Sequence, residues 1–150
     1  MKIMTSLSTF SCLFILLYVG FASGQIIWQK YPYNPVFYNG YPGNFDDAGV
    51  YTPHILRDEG IFKMWYTGYT NWPYYDRIGY AESLDGITWA RNTEPVLKPD
   101  TSGGWDSEYV TRPFVLKEGD TLKMWYSGTD MGSYSSKKRI GYATSINGVE

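Results

Sequence analysis

Short apolar and aromatic runs alternate with polar turns along the chain, and the alternation recurs at a fixed interval. The stretch FKMWYTG at 62–68 returns as LKMWYSG at 122–128. Around it, PVFYNGYPGNFDDAGVYTPHILRDEGIFKMWYTG (35–68) aligns without a gap to PVLKPDTSGGWDSEYVTRPFVLKEGDTLKMWYSG (95–128), an offset of 60 residues. After a two-residue insertion, RIGYAESLDGI (77–87) matches RIGYATSINGV (139–149). GITWARNTEPV (86–96) is echoed earlier by IIWQKYPYNPV (26–36). Self-similarity at such a period marks a repeat architecture.

Each unit reads as four short strands: PHIL or PFVL, then FKMWYTG or LKMWYSG, then RIGYA, then ITWAR. The connections RDEG, KEGD, SLDG and SING carry Gly, Asp and Asn, the residues that supply turn geometry between β-branched and aromatic runs. No helical period of useful length follows the first 24 residues. The class is therefore all-β. A four-stranded antiparallel meander repeated in tandem is a β-propeller blade, with units at about 35–94 and 95–150. Trp65 and Trp125 occupy one structural position in two stacked blades, where core packing accounts for the KMWY run. Propellers have about four to eight blades, and here there are about two. The second unit reaches SINGVE at Glu150, one residue short of the tryptophan that follows SLDGIT. The expectation is an N-terminal piece of a longer protein, with its C-terminal blades absent.

The first residues read differently. Lys2 precedes the apolar run CLFILLYVGF (12–21), and Ala22-Ser23-Gly24 supplies small residues for cleavage. That layout predicts a signal peptide over 1–24 and a mature propeller domain over 25–150, secreted to the extracellular space or periplasm and free of the membrane after cleavage. The apolar run is shorter than the roughly 20 residues a spanning helix needs. The single cysteine, Cys12, falls inside that segment, so the mature chain has neither a disulfide nor a thiol nucleophile. Removing Lys2 leaves 12 Lys and Arg against 15 Asp and Glu. No basic stripe stands out, which argues against nucleic acid as a partner.

In a meander the connections alternate between two ends. The tight turns 57–60 and 84–86 share one end, and the longer segments 69–76 and 37–50 share the other, as do 129–138 and 97–110. Long loops on a rigid scaffold are the usual seat of function. In YTNWPYYD, Trp72, Tyr74 and Tyr75 offer flat faces with polar tips, suited to stacking on sugar rings. The connections carry Asp46 and Asp47, then Asp106 and Glu108, just before the inner strands. Carboxylates converging there would act as general acid and base in glycoside cleavage. Asp46 and Asp106 are repeat equivalents, which fits a shared turn role. Asp47 and Glu108 have no acidic counterpart and are the stronger site candidates. Arg112 could bind a sugar hydroxyl or carboxylate through its fork of donors, and His54 lies beside the other pre-strand proline. No zinc-ligand set, P-loop or dinucleotide motif occurs, so no cofactor is expected, with a structural calcium ion left open.

The patterns WD…V…P.VL…KMWY.G and RIGYA.S.DGI.W, at 45–89 and 105–149, resemble the five-bladed β-propeller glycosidases: arabinanases, β-xylosidases, levansucrases and invertases, with the mannoside phosphorylases as relatives. The resemblance implies a carbohydrate substrate and a pocket on the axis holding three acids from successive blades. One departure stands out. Relatives often place Asp directly before the first-strand proline, whereas this chain has Thr52 before Pro53 and Arg112 before Pro113. The phosphorylase-like Glu-Asp-Pro-Arg falls on Tyr51-Thr52-Pro53-His54. A glycoside hydrolase-like propeller, inactive as two blades alone, is the leading expectation, and a non-catalytic glycan-binding propeller is its alternative.

Overall fold

The computed structural model describes residues 27–71, 74–130 and 137–150. The expected leader, Cys12 and Trp72 lie outside them. Of the unit Met1–Tyr31, only residues 27–31 are described, and they form no strand. The unit Pro32–Glu150 is two antiparallel sheets. The first has the order β1 (Gly49–Asp58), β2 (Ile61–Tyr69), β3 (Asp76–Ser83) and β4 (Ala90–Arg91). The second has the order β5 (Tyr109–Glu118), β6 (Thr121–Thr129) and β7 (Lys138–Ser145). The repeat survives in register: Trp65 pairs with His54 and Tyr80, and Trp125 pairs with Phe114 and Tyr142. Among the described residues there is no helix. The class is all-β, built of propeller-type blades.

Two details differ from the sequence pattern. The inner strands begin earlier than PHIL and PFVL, and each carries a bulge just before its proline. There Thr52 and Arg112 take φ of 47° and 55°, the left-handed region that non-glycine residues seldom enter. The outer strand ITWAR shrinks to Ala90–Arg91. Asp85 Oδ1 accepts from the Ile87 and Thr88 amides, and Ser83 Oγ accepts from the Gly86 amide. These bonds hold 84–88 as a turn and delay the strand.

Alternation along β2 divides its side chains between two cores. Trp65 packs with Ile78, Tyr80, Val110, Val115, Leu122 and Tyr126 between the blades. Its Nε1 donates to the Gly148 carbonyl of the second blade at 2.9 Å. Met64 and Tyr66 turn the other way and pack with Phe45, Ala81 and Phe37. Inside each blade the Phe45-Asp46 and Trp105-Asp106 pairs lie across a strand glycine. A Cβ on Gly68 would come within 2.5 Å of Asp46, and one on Gly128 within 2.5 Å of Asp106. The glycine of each WY-Thr/Ser-Gly block is therefore needed for close approach.

The fold makes the two equivalent tryptophans unequal, since Trp65 is fully buried while Trp125 is 36% exposed. At low protein concentration, Trp65→Ala should lower the unfolding free energy by about 3–5 kcal/mol. Trp125→Ala should cost clearly less. Urea denaturation of both variants measures the difference, and equal losses would contradict this division of the core.

Candidate functional site

The end of the sheets opposite the tight turns gathers an acid and four tyrosines. Register aligns Gly49, Tyr69 and Asp76 there, and β5 enters beside them at Tyr109. Tyr51 Oη donates to Asp76 Oδ2 at 2.8 Å. The rings form a chain: Tyr51 meets Tyr69 at 6.0 Å, Tyr69 meets Tyr74 at 5.6 Å, and Tyr74 meets Tyr109 at 5.6 Å.

Asp76 is the chemically unusual member. It is buried, and its Oδ1 has no hydrogen-bond partner among the described residues. Burial pushes its carboxyl above the ordinary range, against the pull of the Tyr51 hydrogen bond and the Arg112 charge. Burial also raises the Tyr51 phenol, reinforced by its bond to Asp76. Tyr109 is pushed up to about 12, first by burial and then by a hydrogen bond to Glu108. A carboxyl that holds its proton more tightly than usual, bonded at one oxygen and unpartnered at the other, is of the type that serves as a general acid.

Arg112 reaches this cluster through its strained backbone. Its amide donates to Thr67 Oγ1 at 2.9 Å, across the blade boundary. Thr67 and Thr52 share a hydroxyl bond of 2.8 Å. Either hydroxyl can donate in that pair, since Thr67 Oγ1 keeps a second lone pair beside the one that accepts from Arg112. The threonine that stands at the expected acid position before Pro53 is thus tied into the framework.

The residues singled out from the sequence divide among several places. Glu108, Tyr74 and Arg112 join the cluster around Asp76. Asp47 and Tyr75 lie apart, lining an open groove with Asn44, Thr70 and Arg77, where the Arg77 guanidinium sits 5.3 Å from the Tyr75 ring centroid. Asp47 Oδ2 accepts from the Gly43 amide at 2.9 Å. Asp46 is fully buried, taking the Tyr66 hydroxyl at 2.9 Å and Arg91 at 2.6 Å. Asp106 takes the Tyr126 hydroxyl at 2.8 Å. These last two link the connection to the sheet within each blade. His54 packs edge-on against Phe114 at 4.7 Å, and burial lowers its pKa against a hydrogen bond with the Val115 backbone. Among the described residues no group of three His, Cys, Asp or Glu side chains could hold a metal ion.

Asp76 was not among the sequence candidates, although a signal was there. Its repeat equivalent is Lys138, so it is unit-specific in the same sense as Asp47 and Glu108. The folded chain holds the Asp76 proton more tightly than the unfolded chain, whose carboxyl titrates near its ordinary 3.8. The wild type therefore loses stability as pH rises from about 4 through the raised folded value. Urea midpoints of Asp76→Asn should gain on the wild type over that range, and parallel curves would refute the raised pKa.

No protein-family model matches the chain. An uncharacterized protein of Mycobacterium tuberculosis strain H37Rv is 33% identical over 111 residues, covering 69% of this chain and 34% of that one. A 1,2-β-oligomannan phosphorylase of Thermoanaerobacter sp. strain X514 is 27% identical over 122 residues, covering 77% of this chain and 40% of that one. This chain thus spans between about a third and two-fifths of the curated relatives it matches. A structure described with the GH130 family of mannoside phosphorylases and glycoside hydrolases superposes with a TM-score of 0.66 at 20% identity. That superposition covers 81% of this chain and 38% of the other. Sequence repeat, blade register and superposition agree: the chain has the blade fold of the propeller-type glycosidases and mannoside phosphorylases.

Proposed function

We propose that this chain is a carbohydrate-active propeller unit of the glycoside hydrolase and phosphorylase type, exported by its N-terminal segment and acting on an oligosaccharide or polysaccharide. The observation that carries the reading is Asp76, a buried carboxyl raised in pKa with one oxygen unpartnered, set among tyrosines and beside Arg112. In this reading Asp76 is the general acid. Its proton passes to the glycosidic oxygen as the bond to the anomeric carbon breaks and either water, deprotonated by Glu108, or inorganic phosphate bonds to that carbon; Oδ1 is buried in the free chain, so the substrate must displace its cover first. Glu108 is the second carboxylate, Arg112 orients the sugar through its donors, and Tyr74 and Tyr109 provide stacking faces. The mannoside-directed relatives make mannan the first substrate to try.

One observation favours a second reading, a propeller that binds glycan without cleaving it. The position before Pro53 holds Thr52, whose hydroxyl is engaged by Thr67.

The full chain should be incubated with mannan, arabinan, xylan and fructan, with and without inorganic phosphate, and sugar release measured. Release is expected only where further blades complete the propeller, two blades alone being expected to be inactive, and there Asp76→Asn should lower it by about a hundredfold to ten-thousandfold. No release, with retention on one polysaccharide in an affinity gel that Arg112→Ala abolishes, would establish the binding reading. Neither release nor retention would overturn both.

A further inference from the structure

The inner strand of the second blade leaves its ladder for two residues before resuming it. Thr111 pairs with Ser127 and Phe114 with Trp125, so Arg112 and Pro113 fall outside the register. Proline after Arg112 disfavours the right-handed helical state there, and Arg112 takes φ of 55° instead. A left-handed corner of this kind persists where surrounding bonds over-determine it. The bulge also removes the Arg112 amide from its own ladder, and a buried amide must find an acceptor elsewhere. It finds one in the other blade, donating to Thr67 Oγ1 at 2.9 Å. Thr67 is fully buried in the seam.

The side chain of Arg112 is held far less firmly than its backbone. The residue is exposed, and its guanidinium approaches Thr111 Oγ1 at 3.5 Å, the limit of a hydrogen bond. Among the described residues no ion pair fixes it. Its direction is therefore set by the corner it leaves, because φ fixes where the Cα–Cβ bond points. A return to the β region would swing the side chain away. From the corner, the guanidinium charge acts on both Asp76 and Tyr51. Thr67 stands beside the same pair. Register places it opposite Tyr51 on β1 and opposite Ile78 on β3, two residues from Asp76 and on the same face.

We propose that Thr67 is a positioning residue: by accepting from the Arg112 amide across the seam, its hydroxyl holds the Arg112 guanidinium beside Asp76. Thr67 acts through Arg112 and has no part of its own in binding or proton transfer. One oxygen of the first blade thus decides where a cation of the second blade stands. The arrangement needs the hydroxyl and does not need the methyl group, so serine serves at this position and valine does not. Its bearing on sugar handling rests on the reading of Asp76 as general acid and Arg112 as the group that orients the sugar. The placement of the charge does not rest on that reading.

The test is a carbon-detected NMR titration of the Asp76 carboxyl in the full chain. The other titratable groups around it are Tyr51 from β1, Tyr69 from β2, Tyr74 from the loop before β3, and Glu108 and Tyr109 where the second blade begins. Glu108 is the one of these that titrates in the acid range, and a Glu108→Gln background removes its overlap. Losing a nearby positive charge makes ionisation harder, so Arg112→Ala should raise the Asp76 midpoint by about one pH unit. Thr67→Val should move it the same way by about half as much or more. The double variant should add nothing to Arg112→Ala, and Thr67→Ser should match the wild type. Circular dichroism checks folding. Should Thr67→Val fail to fold, amide exchange in the wild type decides: the Arg112 amide should exchange as slowly as its ladder neighbours, and fast exchange overturns the proposal. So does an Asp76 midpoint left at the wild-type value by Thr67→Val or by Arg112→Ala. Sugar release, measured where further blades complete the propeller, separates the two readings. Release lost in Arg112→Ala and unchanged in Thr67→Val overturns the role of Thr67 and supports the glycosidase reading. Shifted titrations with no release from the wild type do the reverse.

Discussion

A single buried tryptophan sets the relation of the two blades. Trp65 is enclosed on every side, and its one polar atom is satisfied by the Gly148 carbonyl on the neighbouring sheet. An indole of that size brings the largest apolar area of any side chain into the seam, and its N–H must find an acceptor there. The glycine turn at 148 supplies it, so sheet-on-sheet distance and blade rotation are fixed together. Everything at the long-loop end depends on that spacing. Tyr74 of one blade meets Tyr109 of the other, and Arg112 meets Thr67, only because the seam is closed below them.

The blade architecture was legible in the sequence because repetition is insensitive to local ambiguity. KMWY followed by a long loop and RIGYA marks a strand pair twice over, and the register of Trp65 with Tyr80 recurs in Trp125 with Tyr142. Strand ends were less legible. Side-chain oxygens of Ser83 and Asp85 compete with the sheet for backbone amides, and periodicity carries no record of that competition. The bulges before Pro53 and Pro113 were equally hidden, since neither Thr nor Arg advertises a positive φ.

The structure brings only some of the candidate residues together. Choosing acids without a counterpart in the other repeat brought Glu108 to the cluster, and Arg112 and Tyr74 came with it. The same rule placed Asp47 in a separate groove. Asp76 escapes because it closes the aromatic loop YTNWPYYD rather than lying among the acids of the connections. Its distinguishing property is burial against Tyr51, a contact across 25 residues that no local window contains. Asp46 and Asp106 show the converse. Their equivalence across the repeat reflects a shared partner, the tyrosine of the KMWY block, in each sheet.

The hydroxyl of Thr67 joins two left-handed corners that belong to different blades. Each corner alone is an unfavourable backbone state, and such states persist where surrounding bonds over-determine them. Here one oxygen does so for both. The corners are consequently not independent units of inheritance. A blade transplanted into another propeller, or shuffled within this one, would keep its inner-strand geometry only where the preceding blade offers a hydroxyl at that height. The equivalent residue in the second blade is Ser127, so the same small oxygen is on offer at the next seam.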